Sequence, residues 1–183
     1  MKKAWNIVEI LRHARHDWLN RVQLIKGYIS LNNIERVNKI LDEIIADAYQ
    51  ESKLSNMNMP EFASLLLVYN WENHKIHLEY EVLGEEPGKG LAADDHLLTK
   101  WTSSFLDTLS SSVDDCAENC LSITIEEEDG GYRFFFDFRG RIMEESAVLN
   151  YLRHHSSIVD KIHEYNEQEF TFELFLPYMK VNG

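Results

Sequence analysis

Long apolar runs, cysteines and basic residues are all scarce in this 183-residue sequence. No stretch of 18 apolar residues occurs, so the sequence predicts no membrane-spanning helix. The first residues also lack the apolar core of a signal peptide, and we therefore expect a cytoplasmic protein. The two cysteines, Cys116 and Cys120, have no second cysteine pair or suitably spaced histidine pair with which to form a zinc site. Their spacing of four within a helical pattern predicts two small buried residues in a reducing compartment.

Positive charge is scarce in the chain as a whole but concentrated near its beginning. The chain carries 18 Lys and Arg against 31 Asp and Glu, a net charge of −13. This balance argues against a general binder of nucleic acid or of anionic membranes. Residues 1–30 differ, because six basic residues face two acidic ones there, a net charge of +4. The asymmetry indicates either an acidic partner for this segment or a solvated helix face with complementary charges nearby.

Two long helices are predicted at the beginning of the chain. Residues 4–30 contain no proline, and Gly27 is their only glycine. Apolar residues recur there at steps of three and four, and again from Ile34 to about Ser55, which is the pattern of amphipathic helices. The short connection, with Asn33 as a potential N-cap, predicts an antiparallel hairpin. Each apolar stripe is wider than the contact between the two helices of one hairpin requires. We therefore favour a homodimer in which two hairpins form a four-helix bundle. The alternative is that the rest of the chain covers the excess apolar surface of the two helices.

The rest of the chain mixes helical and strand periodicities. Helical patterns occupy about 61–73, 95–115 and 144–153. Alternating patterns typical of strands occupy about 75–83, 121–127, 132–138 and 169–176, and 157–163 is a further candidate. Residues 84–90 have the composition of a loop, and Asp129-Gly130-Gly131 is a hairpin turn signal. The predicted class is α+β, with a helical hairpin domain over 1–56 and an α/β sandwich domain over 57–183. The sandwich would have helices on one face of a mainly antiparallel sheet.

His16 lies on the polar face of the first predicted helix. At 100° per residue it points about 160° away from the apolar stripe, and it shares its face with Arg12, Asn20, Gln23 and Gly27. An accessible imidazole offers a nucleophilic ring nitrogen at neutral pH, and it can attack an activated phosphorus. Residue chemistry alone leaves an ordinary surface histidine as the alternative.

Charged and polar neighbours of His16 suit phosphoryl transfer, which depends mainly on positioning and on neutralising the phosphoryl oxygens. Asp17 could hydrogen-bond the imidazole and fix its tautomer, and Asn20 could donate to a phosphoryl oxygen. Three arginines lie within a turn or two and could stabilise negative charge: Arg12, Arg15 and Arg21.

One segment resembles the phosphoacceptor helix of sensor histidine kinases, in which a histidine precedes an acidic residue, two variable residues and an Asn or Thr. That segment is His16-Asp17-Trp18-Leu19-Asn20-Arg21-Val22-Gln23-Leu24-Ile25-Lys26-Gly27. It is more similar still to the phosphorelay histidine phosphotransferases of endospore-forming bacteria, as are residues 51–56 and 78–84. The resemblance extends over nearly the whole chain, and it is weaker after about residue 90.

The resemblance implies a four-helix bundle of two subunits with His16 as the phosphoacceptor, assisted by Asp17 and Asn20. His16 would take a phosphoryl group from the aspartate of a single-domain response regulator. It would pass the group to the aspartate of a second, transcription-controlling response regulator that governs sporulation initiation. The chain itself would bind no cofactor and no metal, and Mg²⁺ would lie on the partner regulator. Five residues would contact the partner or the phosphoryl group: Arg12, Arg15, Arg21, Gln23 and Lys26.

The resemblance also implies a second domain similar to the ATP-binding domain of histidine kinases, but with altered nucleotide motifs. Ser111 aligns with the magnesium-binding Asn of the kinases, and Asp114 with a usual basic residue. The Asp-x-Gly-x-Gly box of the kinases reads Asp137-Phe138-Arg139-Gly140-Arg141 here, with Arg where close backbone approach needs Gly. A second Gly-rich box is absent, and we therefore expect transfer without ATP. Two alternatives stay open: a divergent active kinase, which would bind ATP, and a non-enzymatic dimerisation module, whose His16 would not become phosphorylated.

Overall fold

The computed structural model describes residues 5–72, 74–84, 93–154 and 158–179. Contacts divide the chain into two compact units, 1–49 and 50–183, and the division falls inside the second helix. The sequence places the domain boundary slightly later, after residue 56. Along the chain, the elements are α1 (Ile7–Ser30), α2 (Ile34–Ser55), α3 (Pro60–Tyr69), β1 (His77–Val82), α4 (Asp95–Ser112), β2 (Cys120–Glu128), β3 (Gly131–Arg139), α5 (Glu145–His154), β4 (Val159–Tyr165) and β5 (Glu169–Pro177). Each predicted helix and strand is confirmed, whereas the predicted loop over 84–90 lies almost wholly outside the described residues.

The ends of α1 and α2 are fixed by asparagine side chains. The Asn6 side chain accepts hydrogen bonds from the backbone of Val8 and Glu9, and the Glu9 carboxylate accepts from the Asn6 backbone, which completes a capping box. The Asn33 Oδ1 accepts from the Arg36 backbone at 3.1 Å, so the predicted N-cap of α2 is confirmed. Asn32, at φ 52°, makes the turn between the helices, because Asn tolerates the left-handed conformation.

The hairpin of α1 and α2 leaves much of its apolar surface uncovered. No residue of α1 is buried, and Val37 is buried in the first turn of α2, near the connection between the helices. Ile25, Ile40 and Ile44 are half-buried. The large apolar side chains that stay exposed include Leu11, Trp18, Val22, Leu24 and Ile29 of α1 and Ile34, Leu41, Ile45 and Tyr49 of α2.

The second unit is a five-stranded sheet in the order β1-β2-β3-β5-β4. β1 pairs with β2 in parallel and the other three pairs are antiparallel, which confirms the predicted mainly antiparallel sheet. The hairpin between β2 and β3 turns through Asp129 and Gly130, and Gly130 has φ 98°. Alternate residues of β2, β3 and β5 are almost completely buried. The rings of Phe136 and Phe172 stack at 4.6 Å beneath Trp101 and Phe105 of α4. None of the described helices has the length and apolarity needed to cross a membrane.

Side chains cover the outer edge of β1. The Asn70 amide donates to the Leu78 carbonyl at 2.7 Å and accepts from the Leu78 N–H at 3.0 Å, as a neighbouring strand would. At the other end of β1, the Val82 N–H donates to Gln50 Oε1 at 2.7 Å and its carbonyl accepts from Lys53 Nζ at 3.1 Å. The last turns of α2 and α3 therefore satisfy backbone groups that an edge strand leaves unpaired.

The two cysteines differ from their prediction. Cys116 is exposed and Cys120 is half-buried at the start of β2, and both are free thiols. The prediction of a buried helical pair is wrong because α4 ends at Ser112 and Val113 is already extended. The buried Asn119 amide then holds the following loop, where it donates to the carbonyl of Asp114 at 2.9 Å and accepts from the Arg141 N–H at 3.0 Å.

Candidate phosphoacceptor site

His16 projects into solvent from the middle of α1. Its side chain is 71% exposed, in agreement with the polar face on which the helical period places it. The exposure follows from the helix itself, because the apolar stripe of α1 lies on the opposite side. A partner molecule can therefore reach the imidazole without any rearrangement of the hairpin.

The two nitrogens of the His16 ring have different surroundings. Nδ1 lies 3.3 Å from Asp17 Oδ1 and 3.2 Å from Asn20 Nδ2. Nε2 has no protein partner among the residues that the structure describes. If Nδ1 carries the proton, it donates to Asp17 and leaves a lone pair on Nε2; if Nε2 carries it, Nδ1 accepts from Asn20. Asp17 therefore favours the tautomer whose outward nitrogen is nucleophilic.

Arg21 bonds across the hairpin. Its guanidinium lies 2.6 Å from the Asp47 carboxylate of α2, and 39% and 53% of the two side chains are exposed. This pair ties α1 to α2 one turn beyond His16 and fixes the antiparallel register of the helices. The sequence grouped Arg21 with the partner-binding arginines, but it could not find Asp47, since the two residues are 26 positions apart and only the folded hairpin joins them.

The other basic residues predicted around His16 form no salt bridge with the described residues. Arg12, Arg15 and Lys26 are exposed and have no ion pair in the part of the chain that the structure describes. Arg12 precedes His16 by about one helical turn, and Arg15 is its immediate neighbour, about 100° around the helix. Gln23 is also exposed, two turns beyond His16, and it lines a shallow depression in the surface of α1.

His13 has a different environment from His16. Its ring packs edge-on against the Trp5 ring, with centroids 5.0 Å apart, and its side chain is only partly exposed. The His13 imidazole therefore packs against another aromatic ring near the start of α1.

In the region that aligns with the kinase nucleotide motifs, polar and charged side chains bond within the chain. Ser111 Oγ donates to the Asp107 carbonyl of its own helix at 2.9 Å, so it offers no amide oxygen to a metal. Arg139 pairs with Asp137 at 3.2 Å and Arg141 with Asp114 at 3.4 Å. Both arginines stand at positions where the kinase motif has glycine, and their side chains are 75% and 65% exposed.

Backbone hydrogen bonds also join the two segments of this region. The Asp114 N–H donates to the Arg141 carbonyl at 2.9 Å, and the Met143 N–H donates to the Ser112 carbonyl at 2.7 Å. A Cβ atom on Gly140 would lie 2.3 Å from Asn119 Oδ1, so the chain uses this glycine for its own packing.

Negative charge surrounds the same region. Glu118, Glu167 and Glu169 line the depression next to the two arginines. Burial raises the pKa of the nearby Cys120 thiol, and the carboxylates of Glu79 and Asp137 raise it further. Arg139 and Arg141 line the same depression, so acidic and basic side chains lie side by side there. Among the described residues there is also no group of three or more potential metal ligands.

Comparisons with known proteins agree on one family. The family model described as "Sporulation initiation phospho-transferase B, C-terminal" matches residues 58–177, and "Sensor_kinase_SpoOB-type, alpha-helical domain" matches residues 1–57. Sporulation initiation phosphotransferase B of Bacillus subtilis (strain 168) is 38% identical over 143 residues, which cover 77% of this chain and 73% of that protein.

The solved structures that resemble this chain have lower sequence identity to it. The histidine kinase AdeS of Acinetobacter baumannii is 9% identical, with 90% of this chain and 98% of that chain covered at a TM-score of 0.41. A structure described as a bacterial phosphotransferase is 12% identical, with 93% of this chain and 98% of that chain covered at a TM-score of 0.39.

Proposed function

Because the chain belongs to the sporulation initiation phosphotransferase B family, we propose that it is a phosphorelay phosphotransferase of sporulation initiation and that His16 carries the phosphoryl group. One observation supports this site above all. His16 is an exposed imidazole whose Nδ1 is held by Asp17 and Asn20, while Nε2 points outward without a protein partner among the described residues.

The proposed step is a displacement at phosphorus. The Nε2 lone pair of His16 attacks the phosphorus of a regulator's aspartyl phosphate. The N–P bond forms as the P–O bond to the aspartate breaks, and the electron pair leaves with the regulator's carboxylate. The proton on Nδ1 stays in place, and the positive charge that develops on the ring faces the Asp17 carboxylate. The reverse sequence delivers the phosphoryl group to a second regulator.

Basic residues around His16 support an acidic partner. Response regulators are the partners that a phosphorelay role implies. We propose a single-domain regulator as the donor and a transcription-controlling regulator as the acceptor, each with Mg²⁺ in its own acidic pocket. Arg12 and Arg15 would approach that pocket and the phosphoryl oxygens, since neither has an ion pair within the described part of the chain. Gln23 and Lys26 would contact the regulator further along α1. Arg21, held by Asp47, would act mainly by keeping the hairpin in register.

Exposed apolar side chains support a homodimer. Trp18 is 58%, Val22 51%, Leu41 42% and Ile45 65% exposed, on helix faces that point away from His16. An apolar surface of this extent on two adjacent helices calls for a partner surface of the same kind. A second hairpin would complete a four-helix bundle and leave both His16 rings outside.

We also propose that the transfer uses no ATP. The motif positions carry Ser111, Arg139 and Arg141, and the arginines are paired within the chain. Titration calorimetry with Mg-ATP at millimolar concentration should show no saturable heat, whereas micromolar binding would favour the kinase alternative.

Two glutamine variants test the proposed nucleophile. The protein would be incubated with a response regulator phosphorylated on its aspartate, and transfer would be followed by the loss of label from the regulator. His16→Gln should abolish transfer, because it removes the attacking nitrogen, yet retain the dimer and regulator binding. His13→Gln is the matched control and should transfer at close to the wild-type rate. Transfer by His16→Gln, or its loss in His13→Gln alone, would assign the site elsewhere.

A further inference from the structure

The sheet of the second unit has one open face. Along β1, β2, β3 and β5, most of the residues that alternate with the buried ones are half-buried or exposed. Phe62 of α3 and Trp101 of α4 contact the buried side, where they meet Phe134 and Phe136 of β3. A sheet of this kind can leave its second face to water, and its charges are then expected to balance one another across the strands.

The part of the open face around Arg133 of β3 has balanced charges. The Arg133 guanidinium lies 2.6 Å from the Glu128 carboxylate and 3.0 Å from those of Asp160 and Glu173. Glu173 also lies 2.6 Å from Nε2 of His163. The carboxylates in this part of the face therefore have partners within the sheet itself.

The part of the open face formed by β1 and β2 lacks this balance. The two strands contain five glutamates and no lysine or arginine. Glu79 and Glu81 are exposed, and the parallel register places them beside Ser122 and Thr124 of β2. Within the described part of the chain, Glu79 has only His77 as a salt-bridge partner, at 3.8 Å, and Glu81 has none. Like charges side by side destabilise a sheet, so folding does not account for this arrangement.

Short side chains form a groove between these two glutamates and β3. Ser122 and Thr124 are half-buried, and on their other side the antiparallel register places Asp137 and Phe135. Asp137 is paired with Arg139 at one end of the groove, at 3.2 Å. β1 and β3 are two strand spacings apart, about 10 Å, so one segment of another chain has room above β2.

The electrostatic potential at the start of the groove is negative. Burial raises the pKa of the Cys120 thiol, which lies at this end of β2, and the carboxylates of Glu79 and Asp137 raise it further, whereas Arg139 lowers it less than they raise it. An anion is therefore disfavoured there and a cation is favoured.

We infer that this groove, with Glu79 and Glu81 on one side and Asp137 and Phe135 on the other, binds a Lys- and Arg-rich segment of a partner protein. Charge complementarity identifies the occupant, because the β1 carboxylates have no lysine or arginine partner among the described residues and ammonium or guanidinium groups would supply one. The Phe135 ring offers a surface for the apolar stems of these side chains and for a cation over its face. This surface is separate from His16 and does not depend on the proposed phosphotransfer.

Binding of a fluorescent peptide of repeated Lys-Thr-Arg-Thr units to the whole chain tests the groove. Measured by fluorescence anisotropy at low salt, binding should be saturable for the wild type. Glu79→Lys with Glu81→Lys should weaken it roughly tenfold, because two exposed charge contacts are replaced by repulsion. Glu35→Lys with Glu43→Lys is the matched control, since it changes the net charge equally at exposed positions of α2, and it should bind like the wild type.

Two further measurements distinguish docking from attraction to the net charge and from a role in folding. The peptide should shift the amide NMR signals of β2, and Glu79→Gln with Glu81→Gln, which keeps the side-chain shape, should retain the wild-type melting temperature while binding more weakly. Equal weakening by the two lysine pairs would show that only the overall charge attracts the peptide, and it would overturn the inference. Absence of saturable binding to the wild type, or a lower melting temperature of the glutamine variant, would overturn it as well.

Discussion

At the scale of single residues, Asp17 and Asn20 make opposite demands on one atom of His16. Asp17 Oδ1, 3.3 Å from Nδ1, can accept a hydrogen bond from that nitrogen, whereas Asn20 Nδ2, at 3.2 Å, can donate a hydrogen bond to it. Only the first arrangement leaves Nε2 with its lone pair. The carboxylate has the additional advantage of opposing the positive charge that develops on the ring during attack. Asp17 should therefore favour the tautomer of His16 that has a lone pair on Nε2. Asn20 should favour the other tautomer until its amide donates to a phosphoryl oxygen instead.

Asp17→Asn tests this division of roles. It should shift the His16 tautomer towards protonated Nε2 and slow transfer by up to about fivefold, the effect expected from losing one solvent-exposed charge contact. The ¹⁵N chemical shifts of the ring report the tautomer directly. Asn20→Ala is the complementary variant, and it should increase the Nδ1-protonated population. An unchanged tautomer in Asp17→Asn would show that the carboxylate does not select it.

Exposure of His16 could be predicted from sequence, but the partner of Arg21 could not. The helical period alone places His16 opposite the apolar stripe of α1, because side-chain direction in a helix depends only on position. The Arg21–Asp47 bond depends on the register of two helices, and register is set by the turn at Asn32 rather than by either helix.

At the scale of elements, the periodicity of apolar residues predicts where the strands and helices lie, whereas particular hydrogen bonds determine where they end. The sequence predicts a helix over 95–115, yet α4 ends at Ser112, because the buried Val113 is extended and forms a β-bridge with Ile142. The closure of the β1 edge was likewise beyond prediction. It depends on Asn70 and Gln50 side chains that act as strand backbone towards Leu78 and Val82.

Asn70→Ala tests the importance of that edge. Leu78 is buried, and the variant would leave both its N–H and its carbonyl without their partner. The free energy of unfolding should fall by roughly 1–3 kcal/mol, measured by urea denaturation. Asn150→Ala, at an exposed position of α5, is the control and should change stability by less than about 0.5 kcal/mol. Equal effects of the two variants would contradict a specific role for the Asn70 amide.

At the scale of the whole molecule, the uneven charge and the bare apolar faces indicate two separate contacts. Residues 1–30 are at +4 in a chain of −13, so an acidic regulator would be repelled by most of the protein and attracted to the face of His16. The seam of the proposed dimer lies elsewhere on the hairpin. Ile44 is half-buried towards α1, whereas Leu41 and Ile45 are exposed, so the latter two identify the seam on α2.

Leu41→Lys with Ile45→Lys should therefore produce monomers. Two charges would have to be buried without partners in the seam, and such burial costs several kcal/mol. Sedimentation at micromolar concentration should show a dimer for the wild type and for Glu43→Lys, an exposed position that lies about 160° around α2 from both Leu41 and Ile45. A monomeric wild type would contradict the four-helix bundle.

The central claim is that the phosphoryl group rests on Nε2 of His16, and locating the phosphate after transfer tests it most directly. The protein would be labelled by a phosphorylated response regulator, digested at alkaline pH, and the labelled peptide identified by mass spectrometry and ³¹P NMR. We predict a single acid-labile, alkali-stable phosphate on the peptide that contains His16, attached at Nε2. An alkali-labile phosphate on Asp17, or a phosphohistidine at His13, would contradict the account.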